Sequence, residues 1–215
     1  MKKIISLLIA LGCILALFSC GDSPIDGFAK IVSSSEPTKI ITQTSYNDGE
    51  NTLTGRFETQ IYGSDFMMKY DYQFYPEPSA GLNPGNFIDS KSGVIYYNKG
   101  LYSTDEGVTW GTGVPGETAM QLKLNLDFDK VKEHNISKDE KTLTMIVLAE
   151  NTEAVLGRKI SADQNGVTIE IEHDGKSLRK ISLSYTTESE AQVYSETSYS
   201  YDKVTSPFVE EVVTQ

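Results

Sequence analysis

The sequence contains few of the residues from which catalytic and metal sites are usually built. Its 215 residues include two cysteines and two histidines. Both cysteines, Cys13 and Cys20, lie near the N-terminus, so the remaining chain can form no disulfide and no cysteine-based metal site or nucleophile. His134 and His173 stand in separate polar stretches, where we expect them to be solvated, and no HExxH, GxSxG or glycine-rich phosphate-binding motif occurs. We therefore predict a protein that is not an enzyme and that uses no cofactor and no metal.

Basic residues are scarce as well. The chain has 19 Lys and Arg against 30 Asp and Glu, which gives a formal net charge of −11. Because such a chain repels a phosphate backbone, we expect no nucleic-acid partner. We attribute the acidity to solubility rather than to cation binding.

Only one long apolar run occurs, from Ile4 to Phe18, and it is shorter than the roughly 18 to 20 residues that span a bilayer. Two lysines precede it, which is typical of an export signal. Leu17-Phe18-Ser19-Cys20 resembles the lipobox cleaved by lipoprotein signal peptidase. The resemblance implies a diacylated Cys20 that anchors an extracytoplasmic protein to the cell membrane. Leu11-Gly12-Cys13 is a competing site, but cleavage there would leave an apolar region of only about nine residues.

We predict four segments along the chain. They are a signal peptide at 1–19, the lipidated cysteine and a short tether at 20–27, a single β domain at 28–205, and a C-terminal tail at 206–215. A processed chain of about 195 residues is long enough for one substantial core. The sequence does not define an oligomeric state, and a monomer is the default expectation.

Alternation of apolar and polar residues dominates the chain after residue 38 and is typical of half-buried strands. Leu53, Phe57 and Ile61 would share one face of a strand, with Arg56 and Glu58 on the other. Similar runs at 38–46, 66–74, 93–98, 122–128, 143–147, 167–171, 181–185 and 191–201 predict about nine or ten antiparallel strands. The Pro- and Gly-rich stretch 76–90 is predicted to be a loop.

Helical patterns are short and few. Phe28, Ile31 and Val32 have the spacing of an amphipathic helix that ends before Pro37. Residues 151–157 predict a second helix, with Asn151 as N-cap and a glycine at its C-terminal end. Residues 127–135 are compatible with a third.

This order of elements resembles the LolA-like and LppX-like envelope lipoproteins. The shared features are an exported N-terminus, an amphipathic helix, long meandering strands and a late short helix before a closing hairpin at Asp174-Gly175. The resemblance is one of layout over most of residues 24–203, without a shared motif. It implies a mainly β fold, in which a curved antiparallel sheet forms a half-open barrel plugged by the N-terminal helix and one or two short helices.

The same resemblance implies an apolar cavity for a lipid, another hydrophobic molecule or a lipidated partner. Aromatic and thioether side chains suit such a variable ligand. The candidates to line the cavity are Phe57, Phe66, Met68, Tyr70, Tyr72 and Phe74. The same stripe also fits a packed core. In that alternative the protein is a surface interaction or sensory lipoprotein, whose loops at 76–92 and 111–120 contact a protein or a glycan.

One local motif stands apart from the strand pattern. Ser103-Thr-Asp105-Glu-Gly107-Val-Thr-Trp110 matches the Asp-box, S-x-D-x-G-x-x-W, of sialidases and other propellers. We expect Asp105 to accept backbone hydrogen bonds, Gly107 to adopt a positive φ, and Trp110 to fold back over a hairpin. Because the motif occurs once and a propeller needs several blades, we interpret it as a structural turn and not as a sign of glycosidase activity.

Overall fold

The computed structural model describes residues 24–74, 87–112 and 126–208. The predicted signal peptide and Cys20 lie outside these residues. The strands are β1 (Lys39–Asn47), β2 (Thr52–Tyr62), β3 (Asp65–Phe74), β4 (Phe87–Asn98), β5 (Leu101–Ser103), β6 (Gly111–Thr112), β7 (Glu133–Ile136), β8 (Thr142–Val147), β9 (Val167–His173), β10 (Leu178–Thr186) and β11 (Gln192–Ser200). The helices are α1 (Pro24–Ser34) and α2 (Thr152–Leu156), with 3₁₀ turns at Phe128–Lys130 and Ala149–Asn151.

All eleven strands belong to one antiparallel sheet with the order β6-β5-β4-β3-β2-β1-β11-β10-β9-β8-β7. Its centre is the pairing of β1 with β11, which runs from Lys39 opposite Ser200 to Asn47 opposite Gln192. The sheet is curved, and within the described ranges its edge strands β6 and β7 do not pair with each other. The predicted fold class, a mainly β protein with one curved, unclosed antiparallel sheet and few short helices, is confirmed.

Two hairpins show how the local sequence turns the chain. After β1, the Asp48 carboxylate accepts hydrogen bonds from two backbone N–H groups, and Gly49 has a φ of +91°. After β9, Asp174 does the same and Gly175 has a φ of +97°. These backbone bonds hold the pKa of both carboxyls below the usual range. Each Asp-Gly pair thus supplies the acceptor and the left-handed residue that its turn requires.

Strand register divides the sheet into two faces, because directly opposite residues of an antiparallel pair lie on the same face. Tyr46 lies opposite Leu53 of β2 and Val193 of β11. We call the face that carries these three residues the inner face and the opposite one the outer face. The main core packs on the inner face of β8, β9 and β10.

Helix α1 covers this part of the inner face. Phe28, only 1% exposed, joins strand and α2 side chains in what we call the helix-covered cluster: Phe28, Leu143, Met145, Val147, Val155, Leu156, Ile160, Ala162, Val167, Ile169, Ile171, Leu178, Ile181 and Leu183. The hydroxyl of Ser35 ties the end of α1 to the sheet by accepting a hydrogen bond from Leu178 N–H (3.1 Å). The helix begins at Pro24, within the segment predicted as tether, because Pro is favoured in the first helical turn.

Helix α2 lies in the insertion between β8 and β9 and ends at Leu156. The glycine predicted at its C-terminal end, Gly157, is the C-cap and has a φ of +68°. Asn151, predicted as its N-cap, makes no side-chain capping bond. Asn151 belongs to the preceding 3₁₀ turn and has a helical backbone, whereas a capping residue needs an extended one. Thr152 holds the insertion instead, since its hydroxyl donates to Ala149 O (2.8 Å) and accepts from Ile160 N–H (2.9 Å).

Two stretches differ from the sequence prediction. Strand β4 begins at Phe87, inside the predicted loop 76–90, because the Pro and Gly residues that signal a loop end at Gly85. Residues 127–135 form one 3₁₀ turn followed by β7, which pairs with β8, and not a helix. The predicted strand 122–128 lies outside the described residues up to residue 125, and Phe128 at its end belongs to the 3₁₀ turn.

The chain after β11 reaches the outer face. Phe208 packs edge-on against Tyr62 and Tyr96, with ring centroids 5.7 and 5.8 Å apart, so the predicted tail contacts the domain at this residue. Neither helix in the described ranges is long and apolar enough to cross a membrane.

Candidate functional site

Five of the six residues predicted to line a cavity meet on the inner face of β2 and β3. Together with Ile95 of β4 they form what we call the aromatic cluster: Phe57, Phe66, Met68, Tyr70, Tyr72 and Ile95. Tyr72 and Ile95 are fully buried, and the Phe57 and Tyr72 rings stack with centroids 5.6 Å apart. Strand β3 ends at Phe74, whose side chain lies outside the described part of the structure.

A glycine shapes the aromatic cluster at the β3–β4 pairing. Gly93 lies directly opposite Tyr70, and a Cβ atom at Gly93 would be 2.5 Å from the Tyr70 hydroxyl oxygen. The Tyr70 ring therefore occupies the space that a side chain at Gly93 would fill.

The two helices cover only one half of the inner face. Phe28 of α1 and Val155 and Leu156 of α2 belong to the helix-covered cluster on β8–β10. Among the described residues, no helix side chain belongs to the aromatic cluster on β2–β4. In the described part of the chain, the inner face therefore holds helix side chains on β8–β10 and a separate cluster of buried aromatic side chains on β2–β4.

A band of hydroxyl side chains separates the two clusters along the central strands. Thr42 of β1 and Thr197 of β11 are hydrogen-bonded at 3.0 Å, as are Thr44 and Ser195. Thr197 and Ser195 are buried. In each pair, one hydroxyl donates its hydrogen to the oxygen of the other. The second hydroxyl keeps its own hydrogen, which can be donated to a further acceptor. We call these four residues the hydroxyl band.

A third group of buried residues lies where the β1–β2 and β10–β11 hairpins turn. This hairpin-end cluster consists of Tyr46, Ala191 and Val193, with Leu53 and Tyr185 packed against it. Tyr185 also packs against the helix-covered cluster, so it connects the two. Burial raises the pKa of Tyr185 and lowers that of Arg158, and each group partly offsets the shift of the other, because the guanidinium lies next to the phenol.

The outer face carries a groove of about 520 Å³ at the same end of the sheet. None of the five predicted cavity residues whose side chains the structure describes lines it. Its walls are mainly neutral hydroxyl and amide side chains, including Asn47, Thr168, Ser184 and Gln192, beside the 44%-exposed Tyr194. Among the described residues that line this groove, Asp163 is the single charged one.

The Asp-box residues form the turn between β5 and β6. The Asp105 carboxylate accepts hydrogen bonds from the Ser103 hydroxyl (2.6 Å), Thr109 N–H (2.8 Å) and the Thr109 hydroxyl (2.6 Å). These bonds lower the pKa of Asp105 to about 2, and the bond from Ser103 has the largest effect. Gly107 has a φ of +87° and its carbonyl accepts a bond from Trp110 Nε1–H (3.0 Å). The motif stabilises a short hairpin at the edge of the sheet.

The two histidines differ in their exposure to solvent. His134 is exposed, as predicted, although its ring lies edge-on to Phe128. His173 is half-buried, which differs from the prediction, because α1 places the Phe28 ring 4.5 Å from it, between ring centroids. Its Nδ1 accepts a hydrogen bond from Gly175 N–H (2.9 Å). Within the described ranges no three His, Cys, Asp or Glu side chains are grouped as a metal site would require.

The comparisons with known proteins find distant similarity to solved structures. No family model matches the chain, and no curated protein matches it. Among solved structures, the chain is similar to a DUF1329 family protein from Desulfovibrio piger, with 11% sequence identity and a TM-score of 0.30 over 86% of this chain and 94% of that chain. A similarity this low assigns neither a family nor a function.

Proposed function

We propose that the protein is a membrane-anchored extracytoplasmic lipoprotein that binds a hydrophobic ligand, a lipid or a lipidated partner, on the inner face of its sheet. The anchor is Cys20 and the ligand surface is the aromatic cluster. The role is binding, and no reaction is assigned to the protein.

The observation that carries this proposal is the uneven cover of the inner face. An apolar sheet face must be buried against another element, and the helices supply that element over β8–β10. Here α1 and α2 contribute to the helix-covered cluster and, within the described residues, not to the aromatic cluster. Rings and the Met68 thioether can adapt to acyl chains of different shape.

The hydroxyl band supports a lipid rather than a plain hydrocarbon. It lies between the two apolar clusters, on the buried face of the central strands. The remaining O–H hydrogens of Thr42–Thr197 and Thr44–Ser195 suit the ester or amide oxygens that join acyl chains to a headgroup. A pure hydrocarbon would leave them without acceptors.

The binding proposal is tested with two adjacent methionines that point to opposite faces. Met68 belongs to the aromatic cluster, whereas Met67 lies on the outer face, and both are buried (4% and 8% exposed). We would purify the full chain carrying Cys20→Ser and identify co-purifying lipophiles by native mass spectrometry and organic extraction. We expect a stoichiometric lipophile in this protein and in its Met67→Gln variant, and its loss in the Met68→Gln variant.

Equal retention of the lipophile in the two methionine variants would contradict the assignment of the aromatic cluster. A protein that carries no lipophile and cannot be loaded with one would contradict the binding function altogether.

The anchor is tested separately in bacteria supplied with radiolabelled palmitate. We expect label in the wild-type protein and in the Cys13→Ser variant, and none in the Cys20→Ser variant. Label that persists in the Cys20→Ser variant and disappears in the Cys13→Ser variant would identify Cys13 as the lipidated residue.

The outer groove favours a second candidate, a surface lipoprotein that contacts a glycan or a protein. Its neutral hydroxyl and amide walls and the exposed Tyr194 ring are suited to a polar, uncharged partner. This candidate is preferred if the protein neither carries nor takes up a lipophile, and its discriminating variant is Tyr194→Ala in a binding assay with neutral oligosaccharides.

A further inference from the structure

Buried residues before and after Arg158 in the chain hold it at the inner face. Helix α2 ends at the buried Leu156, and Gly157 reverses the chain with a left-handed φ of +68°. Two residues later the buried Ile160 returns the chain to the helix-covered cluster. Arg158 is thus held beside Tyr185 at the junction of the helix-covered and hairpin-end clusters.

Arg158 has no anionic partner within residues 24–74, 87–112 and 126–208. Its Nε atom is enclosed and makes no hydrogen bond, and no carboxylate of the described residues lies within 4.0 Å of the guanidinium. The residue as a whole is half-buried, so part of the guanidinium remains accessible. Enclosing an unpaired cation is unfavourable, and the neutral phenol of Tyr185 cannot replace a carboxylate.

The other two arginines of the chain both form ion pairs with carboxylates. Arg56 pairs with Glu58 at 3.2 Å and Arg179 pairs with Asp174 at 2.5 Å, although both arginine side chains are about half exposed (47% and 50%). The chain holds 30 acidic residues. The least exposed arginine is therefore the one that lacks a counter-ion in the part of the chain that the structure describes, which is the arrangement expected of a group that receives its anion from a ligand.

We propose that Arg158 binds the oxyanion headgroup of an amphiphilic ligand, a carboxylate or a phosphate, whose apolar chain lies on the inner face. This inference rests on the proposed function, because it assumes that the inner face takes an apolar chain. The guanidinium fork would donate to two oxygens of the headgroup, and the rest of the ligand would extend along the apolar clusters of that face.

The test compares ligands that differ only in the headgroup. We would use the full chain carrying Cys20→Ser and displace N-phenyl-1-naphthylamine, a neutral fluorescent probe, with oleate, oleoyl lysophosphatidate or oleyl alcohol. We expect oleate or the lysophosphatidate to bind at least about tenfold more tightly than the alcohol, since charged hydrogen bonds contribute that much. The stronger of the two anions identifies the headgroup class.

The variants assign this preference to one side chain. Arg158→Met should lower the affinity for the preferred anion by roughly 10-fold to 100-fold and leave oleyl alcohol unaffected. Lys159→Met removes the same charge from the adjacent, exposed residue and should change neither affinity. The urea midpoint of Arg158→Met should equal or exceed that of the wild type, because an enclosed unpaired cation has been removed.

The outcomes separate the two proposals. If the alcohol and both anions bind equally, or if Arg158→Met keeps the anion preference, the assignment of Arg158 is wrong while the binding function stands. If neither the probe nor any of the three ligands binds, the proposed function fails and the assignment of Arg158 fails with it.

Discussion

Replacement of Gly166 by alanine should be the most damaging single-methyl change in the described part of the chain. Gly166 precedes β9 and closes the insertion that carries α2 and Arg158. Its φ is +81°, which L residues rarely adopt, and a Cβ there would be 2.5 Å from the carbonyl oxygen of Val147 and 3.1 Å from Leu148 Cα. Both neighbours are backbone atoms at the other end of the insertion, so neither can rotate away.

The magnitude follows from two terms. A left-handed backbone costs an alanine roughly 1–2 kcal/mol, and forced overpacking against atoms that cannot yield costs roughly 1–3 kcal/mol. Gly166→Ala should therefore lower the free energy of unfolding by about 2–5 kcal/mol, a large share of the roughly 5–15 kcal/mol that a domain has. Gly175→Ala is the matched control, since Gly175 has a φ of +97° and nothing within 4 Å of its would-be Cβ.

Urea unfolding monitored by circular dichroism gives the free energy of unfolding of both variants and the wild type, with one m-value shared by the three curves. We expect Gly175→Ala to lower the free energy of unfolding by about 1–2 kcal/mol, the cost of the left-handed backbone alone. Gly166→Ala should lower it further, because its Cβ also meets the backbone of Val147. Equal losses in the two variants would refute the view that the ends of the insertion are clamped by this backbone approach.

Three further predictions concern the core, the sheet surface and the edge turn. Phe28→Ala should reduce the free energy of unfolding by about 3–5 kcal/mol in urea titrations, because a fully buried ring is lost from the helix-covered cluster, and a loss under 1 kcal/mol would mean that α1 is not part of the core. Gly93→Ala should cost about 1–3 kcal/mol through the contact with Tyr70, and a Gly93→Ala/Tyr70→Leu double variant should recover part of the loss if that contact is the cause. The Asp105 pKa of about 2 lies below the unfolded value, so its stabilisation is present above pH 4 and disappears as the pH falls towards 2. Thermal unfolding of the wild type and Asp105→Asn should therefore converge over that range, and a constant difference would exclude the carboxylate as its source.

Strands that bury one face could be predicted from the sequence, and short or edge strands could not. In β8 and from Val167 to Ile171 of β9 every second residue is buried, and the apolar alternation of the sequence indicates this directly. β5, β6 and β7 have two to four residues, too few for a period to be recognised. Their existence depends on pairing with a neighbour, which a local pattern does not contain.

The candidate site was predictable in its aromatic part only. Phe57, Met68 and Tyr72 stand out because they are large and share a strand face. The hydroxyl band was missed because Thr and Ser side chains carry no apolar signal of burial, although Thr197 and Ser195 are buried. Only the pairing of β1 with β11 places these side chains opposite other hydroxyls, and that pairing joins residues 155 positions apart.

The position of the hydroxyl band at this pairing has a physical reason. β1 and β11 join the two halves of the sheet, and a slip of one residue there would transfer every inner side chain of one half to the outer face. Apolar side chains do not distinguish one apolar partner from another, whereas the two hydrogen-bonded pairs, Thr42 with Thr197 and Thr44 with Ser195, form together only in the observed register. A slipped pairing would leave buried hydroxyls without partners, at about 1–3 kcal/mol each. The polar residues on the inner face thus specify how the aromatic half and the helix-covered half are joined, and the same residues leave O–H hydrogens where the proposed ligand would cross from one half to the other.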